Sequence, residues 1–369
     1  MRIQRLVGEN FRNYEQFEVN FDLQLNIIFG FNAQGKSNLL ESICYLSLAS
    51  SFRGAADLEL IHQQRDYFYL AGEMGSTQTG DFSISAAYNR QKRRKWRLNQ
   101  QPCQKLSDIV GVFHTVIFSP EDILLIKGGP SLRRRFLNRQ MSQLYPEFCS
   151  LLLRYNQVLK QRNHCLKQGN EELLTVWDQQ LIDLGVKIVC HRVNILKHLQ
   201  PLAAQIHQEL SGGEQLTLFY QSAVLPENFE LDYQGELKSA IQERFMAQLK
   251  RLRRGELARG LCLCGPHRDD VLIAIDGNNS RNFASQGQQR TAALSLKLAE
   301  LELARQIRGE YPVLLLDDVL SELDSKRQKN LVVLMTKKTQ TFITTTDKTI
   351  PFGQGKLWTV DKGHLQTKN

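Results

Sequence analysis

The sequence predicts an α/β domain built from both ends of the chain, with a mostly helical arm inserted between the two parts. Three observations support this prediction. Strand-like runs occupy the first part of the 369-residue chain, leucine-rich helical periodicity occupies the middle, and apolar strands return near the end. A chain of this length also exceeds one simple hydrophobic core, so two or three domains are expected.

Short strands and one helix define the N-terminal part. The strand-like runs are residues 2–7, 17–21, 25–29 and 82–88. Three of these runs alternate between polar and apolar residues, as half-buried strands do, while residues 25–29 form a short buried strand. A helical pattern begins at Ser37 and continues to Leu48. The run at 82–88, a polar basic stretch and residues 96–98 together predict a β-hairpin.

An eight-residue loop, residues 30–37, connects the third strand to the helix. It reads GFNAQGKS and matches the phosphate-binding pattern GxxxxGK[ST] at every fixed position. Lys36 in such a loop reaches the β- and γ-phosphates and is predicted to be catalytic, while Ser37 offers its hydroxyl to Mg²⁺. The helix N-terminus adds partial positive charge. The residues predicted to bind ATP here are Gly30, Asn32, Ala33, Gln34, Gly35, Lys36, Ser37 and Asn38.

Two adjacent acids, Asp317 and Asp318, follow a continuous apolar run at residues 313–316. Such a run is typical of a parallel strand covered on both faces. A phosphate-binding loop needs an acid at the end of another strand. We therefore expect Asp317 to hold Mg²⁺ together with Ser37, and Asp318 to be the catalytic group that orients or deprotonates the attacking water.

Residues 321–324 (SELD) follow the acids at the spacing of the D-loop in ABC-type ATPases, which the sequence resembles at this point. Those ATPases form a head-to-tail dimer. A signature serine and glycine, at a helix N-terminus of one subunit, close over the γ-phosphate held by the other. A signature must therefore open a helix and lie shortly before the acidic strand.

Two segments compete for the signature role. Residues 210–215 read LSGGEQ and resemble the LSGGQ form by letter, but a strand-like alternation follows them and they lie inside the helical insertion. Residues 285–290 (SQGQQR) open a long amphipathic helical pattern. We therefore expect Ser285, Gly287 and Gln288 to bind the nucleotide of a second subunit, and the first segment to be a loop.

Several further segments form a specific set with these motifs. They are residues 10–14 (NFRNY), 35–38 (GKSN), 118–122 (FSPED), 129–130 (GP), 133–137 (RRRFL), 265–270 (GPHRDD) and 285–290. With this set the sequence resembles the RecF family, bacterial recombination-repair ATPases of the SMC and ABC-type group. The resemblance implies an ABC-type, SMC-like ATPase head from residues 1–120 and 258–369, with the arm at 121–257.

The resemblance also implies a function. It points to a DNA-binding ATP switch of recombinational repair, replication and the response to DNA damage, with Arg12 among the nucleotide-binding residues. It implies an ATP-dependent homodimer with weak, DNA-stimulated ATP hydrolysis. The implied task is to help load recombinase onto gapped DNA coated with single-strand-binding protein, with RecO and RecR as partners.

Departures from the general ABC pattern bear on the mechanism. Asp318 stands where many relatives have glutamate, and its shorter carboxylate predicts slow hydrolysis that releases the DNA. The switch histidine after the last strand is replaced by residues 344–347 (TTTD), so Thr346 or Asp347 is a candidate sensor of the γ-phosphate. His114 lies near the region of the Q-loop glutamine, although a packed strand histidine explains it equally well.

The formal charge of +9 favours a polyanionic partner. Residues 90–97 carry six cations in eight residues around Trp96, and residues 250–254 form a second cluster. The predicted DNA contacts are Arg93, Arg94, Lys95, Arg97, Lys250 and Arg251. Such contacts hold phosphates and are insensitive to sequence. A solvated charged face is the alternative, and Trp96 either stacks on a base or pins the hairpin. Residues 133–135 are expected to tie the lobes together.

Other features are expected to be structural. No apolar run approaches the roughly 18 residues of a membrane helix, and the N-terminus lacks the apolar core of a signal peptide, so we expect a cytoplasmic protein with no membrane partner. The seven scattered cysteines predict free thiols in a reducing compartment. His267, Asp269 and Asp270 are expected to form a hydrogen-bonded turn and not a metal site.

Two other functions remain alternatives. One is an ABC-type ATPase subunit of another machine, either a membrane transporter or an SMC-like complex. The other is a phosphotransferase that uses the loop on a small molecule. The basic hairpin is evidence against a transporter subunit. A signature helix and a D-loop would have no role in a phosphotransferase.

Overall fold

The computed structural model describes residues 1–226, 229–231, 236–319, 338–347 and 355–368. The strands are β1 (Arg2–Phe11), β2 (Tyr14–Asn20), β3 (Leu25–Phe29), β4 (Tyr67–Ser76), β5 (Gly80–Asn89), β6 (Arg94–Leu98), β7 (Gln101–Pro102), β8 (Thr115–Phe118), β9 (Leu216–Gln221), β10 (Asp270–Ile275), β11 (Asn278–Asn279), β12 (Val313–Leu316), β13 (Thr341–Thr345), β14 (Lys356–Asp361) and β15 (His364–Lys368). The helices are α1 (Lys36–Leu48), α2 (Leu124–Lys127), α3 (Pro130–Leu144), α4 (Pro146–Gln168), α5 (Glu171–Ser211), α6 (Leu237–Arg259), α7 (Ser280–Phe283) and α8 (Gln286–Arg308). The predicted D-loop, residues 321–324, lies outside the described residues.

The chain divides into two compact units. The first contains residues 1–122 and 300–369, and the second contains residues 123–299. The first unit therefore combines both ends of the chain, as predicted. The division differs from the expected boundary at residue 257, because β10 pairs along its whole length with β9 of the arm. That pairing joins the segment after α6 to the second unit.

One of the two sheets in the first unit is antiparallel, with the strand order β2-β1-β4-β5-β6-β7. The predicted hairpin is present as β5 and β6, where Ala86 faces Trp96. Trp96 is buried and stacks on Tyr45 of α1, with ring centroids 5.5 Å apart. Trp96 thus pins the hairpin to the core of the unit and has no free face for a base.

The other sheet of the first unit has the order β15-β14-β3-β13-β12-β8, and all of its pairs are parallel except β14 with β15. The central strands β3, β13 and β12 are buried along their length. Helix α1 packs against strands of both sheets. Continuous burial matches the short apolar runs in the sequence, as expected for a parallel sheet covered on both faces.

The second unit is mostly helical. Helices α4, α5 and α6 pack on one another, and a small sheet with the order β11-β10-β9 accompanies them. In this unit Arg133 forms a bidentate ion pair with Asp270, with nitrogen–oxygen distances of 2.7 and 2.8 Å, and Arg134 donates to the backbone of Asp269. These arginines of α3 therefore fix β10. Among the described residues, no helix is both long and apolar enough to cross a membrane.

Candidate nucleotide-binding site

The phosphate-binding loop begins at Gly30, directly after β3. A Cβ atom at Gly30 would lie 2.5 Å from the carbonyl oxygen of Val360 in the adjacent strand β14, so a larger residue would clash with backbone. The amide of Gly30 also donates to the carbonyl of Thr345, 3.3 Å away at the end of β13. The loop is therefore anchored at the carboxyl edge of the parallel sheet from its first residue.

Gly35 closes the loop and caps α1. Its φ of 120° lies in the region that favours glycine, and a Cβ would lie 2.7 Å from the side chain of Asn13. The Asn13 amide donates to the carbonyl of Gln34 at 2.8 Å, and the Tyr14 hydroxyl donates to that of Gly35 at 2.9 Å. Asn13 also accepts from the Asn38 amide at 2.8 Å. The turn between β1 and β2 thus braces the loop.

Lys36 is the buried cation of the site. Its Nζ donates to the carbonyls of Gly30 and Phe31, at 2.9 and 3.1 Å, so the ammonium group lies against the loop itself. Ser37 follows it in the first turn of α1, where unpaired backbone N–H groups and the helix dipole favour an anion. A loop with a fixed cation and free helix amides can bind phosphate groups.

The acidic pair follows β12. Asp317 is buried, and its Oδ1 accepts a hydrogen bond from the Thr344 hydroxyl at 3.0 Å. The same hydroxyl accepts from the Asp318 amide at 2.8 Å, and Asp318 has a φ of 52°. Thr344 on the neighbouring strand β13 therefore holds both acids in place. The acids and the loop lie at the same edge, because β3, β13 and β12 are parallel neighbours.

Burial raises the pKa of Asp318 above its ordinary value, and neighbouring Asp317 adds to the rise, whereas Lys36 opposes it. A carboxylate with a raised pKa accepts a proton more readily, which suits a general base. The opposing influence of Lys36 on this pKa indicates that the cation of the loop lies near the acidic pair. The structure therefore brings together the predicted catalytic residues.

Arg53 is a site residue that the sequence did not single out. Its guanidinium lies 3.6 Å from the carboxylate of Asp317 and donates to Asn38 Oδ1 at 3.1 Å. It thus connects the acidic edge to the first turn of α1. A single arginine in a segment without periodicity gives no sequence signal, and only the fold reveals its position. Asn13 and Thr344 lie in segments that the sequence did single out, residues 10–14 and 344–347, but neither side chain was assigned a role.

Arg12 was predicted to bind nucleotide. Its guanidinium is instead engaged with Glu41 of α1, in a bidentate pair with nitrogen–oxygen distances of 2.7 and 2.9 Å. Glu41 is fully buried and also accepts from the Ser51 hydroxyl. Arg12 therefore neutralises a buried carboxylate of α1, and direct contact with nucleotide stays a prediction.

One signature candidate lies at the start of helix α8, and the other lies at the end of helix α5. Ser285 immediately precedes α8, its Oγ accepts from the Gln288 amide at 3.3 Å, and its own amide donates to Gln288 Oε1 at 2.8 Å. This reciprocal pair is a capping box. By contrast, α5 ends at Ser211 and Gly212 is its left-handed cap, so that segment offers helix carbonyls. The expected difference in geometry is confirmed.

Two assignments stay predictions: Thr346 or Asp347 as the sensor that replaces the switch histidine, and His114 as the residue of the Q-loop region. The Asp347 amide donates to the Thr345 hydroxyl at 3.0 Å, which fixes the backbone just after β13. His114 is 3% exposed and lies just before β8, where its carbonyl accepts from the amide of Val313. Its burial favours the packed strand histidine over the loop role.

The basic hairpin presents part of its charge to solvent. Lys95 and Arg97 alternate with buried Trp96 on β6, so both lie on the exposed face, and Arg93 is exposed in the turn before it. Arg94 differs, because it forms an ion pair with the buried carboxylate of Asp57. Lys95, Arg97 and Arg93 are thus available as phosphate contacts, whereas Arg94 is engaged.

The second basic cluster lies on α6. Lys250 and Arg251 are exposed, and Arg251 donates to Gln248 one turn earlier. Arg253 instead pairs with Asp178, which also binds the fully buried Arg162. Only part of the cluster is therefore a solvated surface.

The predicted turn around His267 is confirmed. His267 Nδ1 lies 2.8 Å from the Tyr155 hydroxyl, and Asp269 accepts from Tyr220. Burial lowers the pKa of His267 to about 4 and raises that of Asp269 to about 6. In the part of the chain that the structure describes, no group of three or more His, Cys, Asp or Glu side chains can hold a metal ion. All seven cysteines are free, as expected.

Comparison with known proteins shows the family of this chain. The family model for the RecF/RecN/SMC N terminal domain matches residues 2–364. Two curated relatives carry the name DNA replication and repair protein RecF: one from Alkaliphilus oremlandii (strain OhILAs), 43% identical over 350 residues, and one from Bacillus cereus (strain B4264), 44% identical over 355 residues. Each alignment covers 94% of this chain, and 93% and 92% of the respective relatives. The chain belongs to the RecF family.

Solved structures of a RecF protein and of an Smc head share the fold of this chain. The chain is similar to the recombination mediator protein RecF solved with ATP, with a TM-score of 0.91 and 36% identity over 100% of this chain and 98% of that one. It also shares its fold with the Smc head domain from Pyrococcus furiosus, with a TM-score of 0.56 and 15% identity over 100% and 96% of the two chains. The predicted ABC-type, SMC-like ATPase head with an inserted arm is therefore confirmed.

Proposed function

We propose that the chain is an ATP-operated DNA-binding switch of recombinational repair and replication. The observation that carries the proposal is the meeting of residues 30–37 with Asp317 and Asp318 at one edge of a parallel sheet. A glycine-containing loop followed by a helix and carrying a buried lysine binds phosphate groups. The adjacent acidic pair adds a ligand for a metal ion and a general base. The family's solved member with ATP supports ATP as the ligand.

The described residues fit ATP with Mg²⁺. Gly35 has no Cβ to fill the loop, Lys36 supplies a cation, and the first turn of α1 supplies backbone N–H groups. Ser37 and Asp317 would hold Mg²⁺, which neutralises phosphate charge when bound. Lys36 stabilises the phosphate charge, and Asp318 orients the attacking water or accepts its proton.

In this proposal, one chain carries only half of a hydrolytic site. Ser285, Gly287 and Gln288 of a second copy would close over the phosphates, because their capped helix offers amides and a hydroxyl to an anion. ATP would thereby join two copies head to tail. Hydrolysis is expected to be slow, since Asp318 replaces a longer carboxylate, and it would release the DNA.

The proposed DNA contacts are the exposed cations of two surfaces. Lys95 and Arg97 on β6 belong to one, and Lys250 and Arg251 on α6 belong to the other. They would contact phosphates of single-stranded, double-stranded or gapped DNA without reading sequence. The solved relative is described as a recombination mediator of the RecFOR pathway, which supports RecO and RecR as partners and recombinase loading as the task. Such a role lies in the cytoplasm.

Sedimentation with ATP tests this function. The protein alone is expected to sediment as a monomer, and ATP with Mg²⁺, or a slowly hydrolysed analogue, is expected to produce a dimer. Gapped DNA is expected to increase the dimer fraction and the rate of ATP hydrolysis. A monomer that transfers phosphate to a small molecule would instead support the phosphotransferase alternative, and assembly only with a different subunit would support another ABC-type machine.

A further inference from the structure

The rejected signature candidate, residues 210–215, contacts the accepted one. The carboxylate of Glu214 accepts a hydrogen bond from the Gln288 side-chain amide, with a distance of 2.8 Å between Nε2 and Oε1. Gln288 is the residue that closes the capping box with Ser285. The charge of Glu214 therefore acts on the first turn of α8, through a side chain that belongs to the cap.

The loop that carries Glu214 is rigidly held. The Ser211 hydroxyl donates to the His207 carbonyl at 2.7 Å and accepts from the Glu214 amide at 3.0 Å. Between them Gly212 and Gly213 have φ values of 82° and 128°, which only glycine adopts easily. The residues that resemble a signature, Ser211, Gly212 and Gly213, therefore form the turn that positions Glu214.

His207 lies beside the second oxygen of the carboxylate. Its Nε2 lies 3.4 Å from Glu214 Oε2, and its Nδ1 lies 3.2 Å from the Ser295 hydroxyl on α8. Ser295 already donates to the carbonyl of Thr291, so Nδ1 of the ring is the donor to Ser295. In this tautomer of the neutral ring Nε2 carries no proton, so the fully buried imidazole packs against the Glu214 side chain without donating to it.

These contacts determine how Gln288 presents its amide. A carboxylate accepts hydrogen bonds and does not donate them, so Glu214 pairs with the side-chain NH₂ group of Gln288. The side-chain oxygen of Gln288 must then face the Ser285 amide. That orientation occupies the Ser285 amide and leaves the next helix amides and the Ser285 hydroxyl as donors for an anion. Without Glu214, the Gln288 side chain could rotate and the cap would lose its fixed geometry.

We propose that Glu214 is a positioning residue for the composite ATP site, setting the orientation of Gln288 and Ser285 before a second copy binds. The inference rests on the proposed function, in which these residues close over nucleotide held by the partner copy. Glu214 is not expected to contact the nucleotide. Its effect should therefore appear in association of the two copies and not in ATP binding by one copy.

The test compares Glu214→Ala with Glu209→Ala. Glu209 is on α5, accepts a hydrogen bond from Gln205 on the same helix face, and provides the same chemical change away from α8. With ATP and Mg²⁺, sedimentation should show the dimer of Glu214→Ala weakened about tenfold, the size expected when a charge-assisted hydrogen bond is removed. ATP affinity measured on the monomer should stay at the wild-type value in both variants.

Two further variants separate positioning from general damage. Glu214→Gln keeps an acceptor for Gln288 and should restore most of the association. Glu214→Ala combined with Gln288→Ala should be no weaker than Gln288→Ala alone, because the two residues act through one hydrogen bond. Wild-type association in Glu214→Ala, tighter association, or an additive double variant would overturn the inference. Failure of the wild-type protein itself to dimerise with ATP would instead overturn the proposed function.

Discussion

Replacing Thr344 by valine should release the acidic pair from strand β13. Its hydroxyl donates to Asp317 Oδ1 at 3.0 Å and accepts from the Asp318 amide at 2.8 Å, and valine keeps the shape while removing both hydrogen bonds. A hydrogen bond to an ionised group contributes about 1.5–3 kcal/mol. If that contribution holds Asp317 in position for Mg²⁺, its removal weakens binding of Mg²⁺ with ATP by about tenfold or more.

The assay is a fluorescence titration with a labelled ATP analogue, with Mg²⁺ and with chelator. Thr344→Val should bind more weakly than wild type only when Mg²⁺ is present, because Asp317 acts through the metal. Thr341→Val is the matched control, since the Thr341 hydroxyl is buried on the same strand but donates to the backbone of Thr339 at 3.1 Å. Equal affinities for the two variants in Mg²⁺ would refute the assigned role of Thr344.

The remaining predictions concern stability and DNA. Arg12→Ala leaves the buried Glu41 carboxylate without its cation, so the free energy of unfolding should fall by about 3–5 kcal/mol in chemical denaturation. Lys95→Glu with Arg97→Glu should lower the slope of log binding constant against log salt by about 0.9 for each DNA phosphate that the protein no longer neutralises. His267→Gln should gain stability relative to wild type as the pH falls from 6.5 to 4, by up to about 3 kcal/mol.

The pH prediction follows from the sign of the shift. Burial lowers the pKa of His267 from its ordinary 6.5 to about 4. At a pH between these two values, His267 is protonated in the unfolded chain but neutral in the folded chain. Acid therefore destabilises the wild-type protein through His267. Asp269, with a pKa raised to about 6, acts in the opposite direction in both proteins and largely cancels from their difference. Parallel stability curves for the two proteins would contradict the assignment.

The Arg12 prediction and the DNA-binding prediction each have a control variant. Arg12→Lys retains one charge and should lose less stability than Arg12→Ala, although lysine cannot form the bidentate pair. Unchanged stability in both variants would exclude the buried pair as a stabilising interaction. Lys160→Glu with Lys187→Glu changes net charge equally at exposed positions of α4 and α5. An equal fall in salt dependence in that control would remove the hairpin from the proposed DNA contacts.

Much of the fold was predictable because its strands are short and their patterns are simple. The apolar runs that became β3 and β12 each end at a residue of unmistakable chemistry, Gly30 or Asp317. Parallel strands in one sheet bring such ends to a common edge, so two motifs far apart in sequence could be assigned to one site. The helical middle was equally predictable from its periodicity.

The residues that connect the motifs could not be predicted. Thr344, Arg53 and Asn13 lie on a strand, a loop and a turn, and each acts through a single side chain placed by tertiary packing. Arg12 was assigned from a family motif, although its strongest interaction in the fold is with the buried Glu41. The letters of a motif likewise do not distinguish the start of a helix from its end, and residues 210–215 show how similar letters serve a different purpose.

Mixing two defective variants tests the composite site most directly. Lys36→Ala removes the cation of the loop, and Ser285→Arg blocks the signature, so neither variant alone should form an ATP-dependent dimer or hydrolyse ATP. In a mixture, the intact loop of one copy and the intact signature of the other should form one complete site. We expect a heterodimer with partial ATPase activity. A mixture that stays monomeric and inactive, beside a wild-type protein that dimerises with ATP, would contradict it.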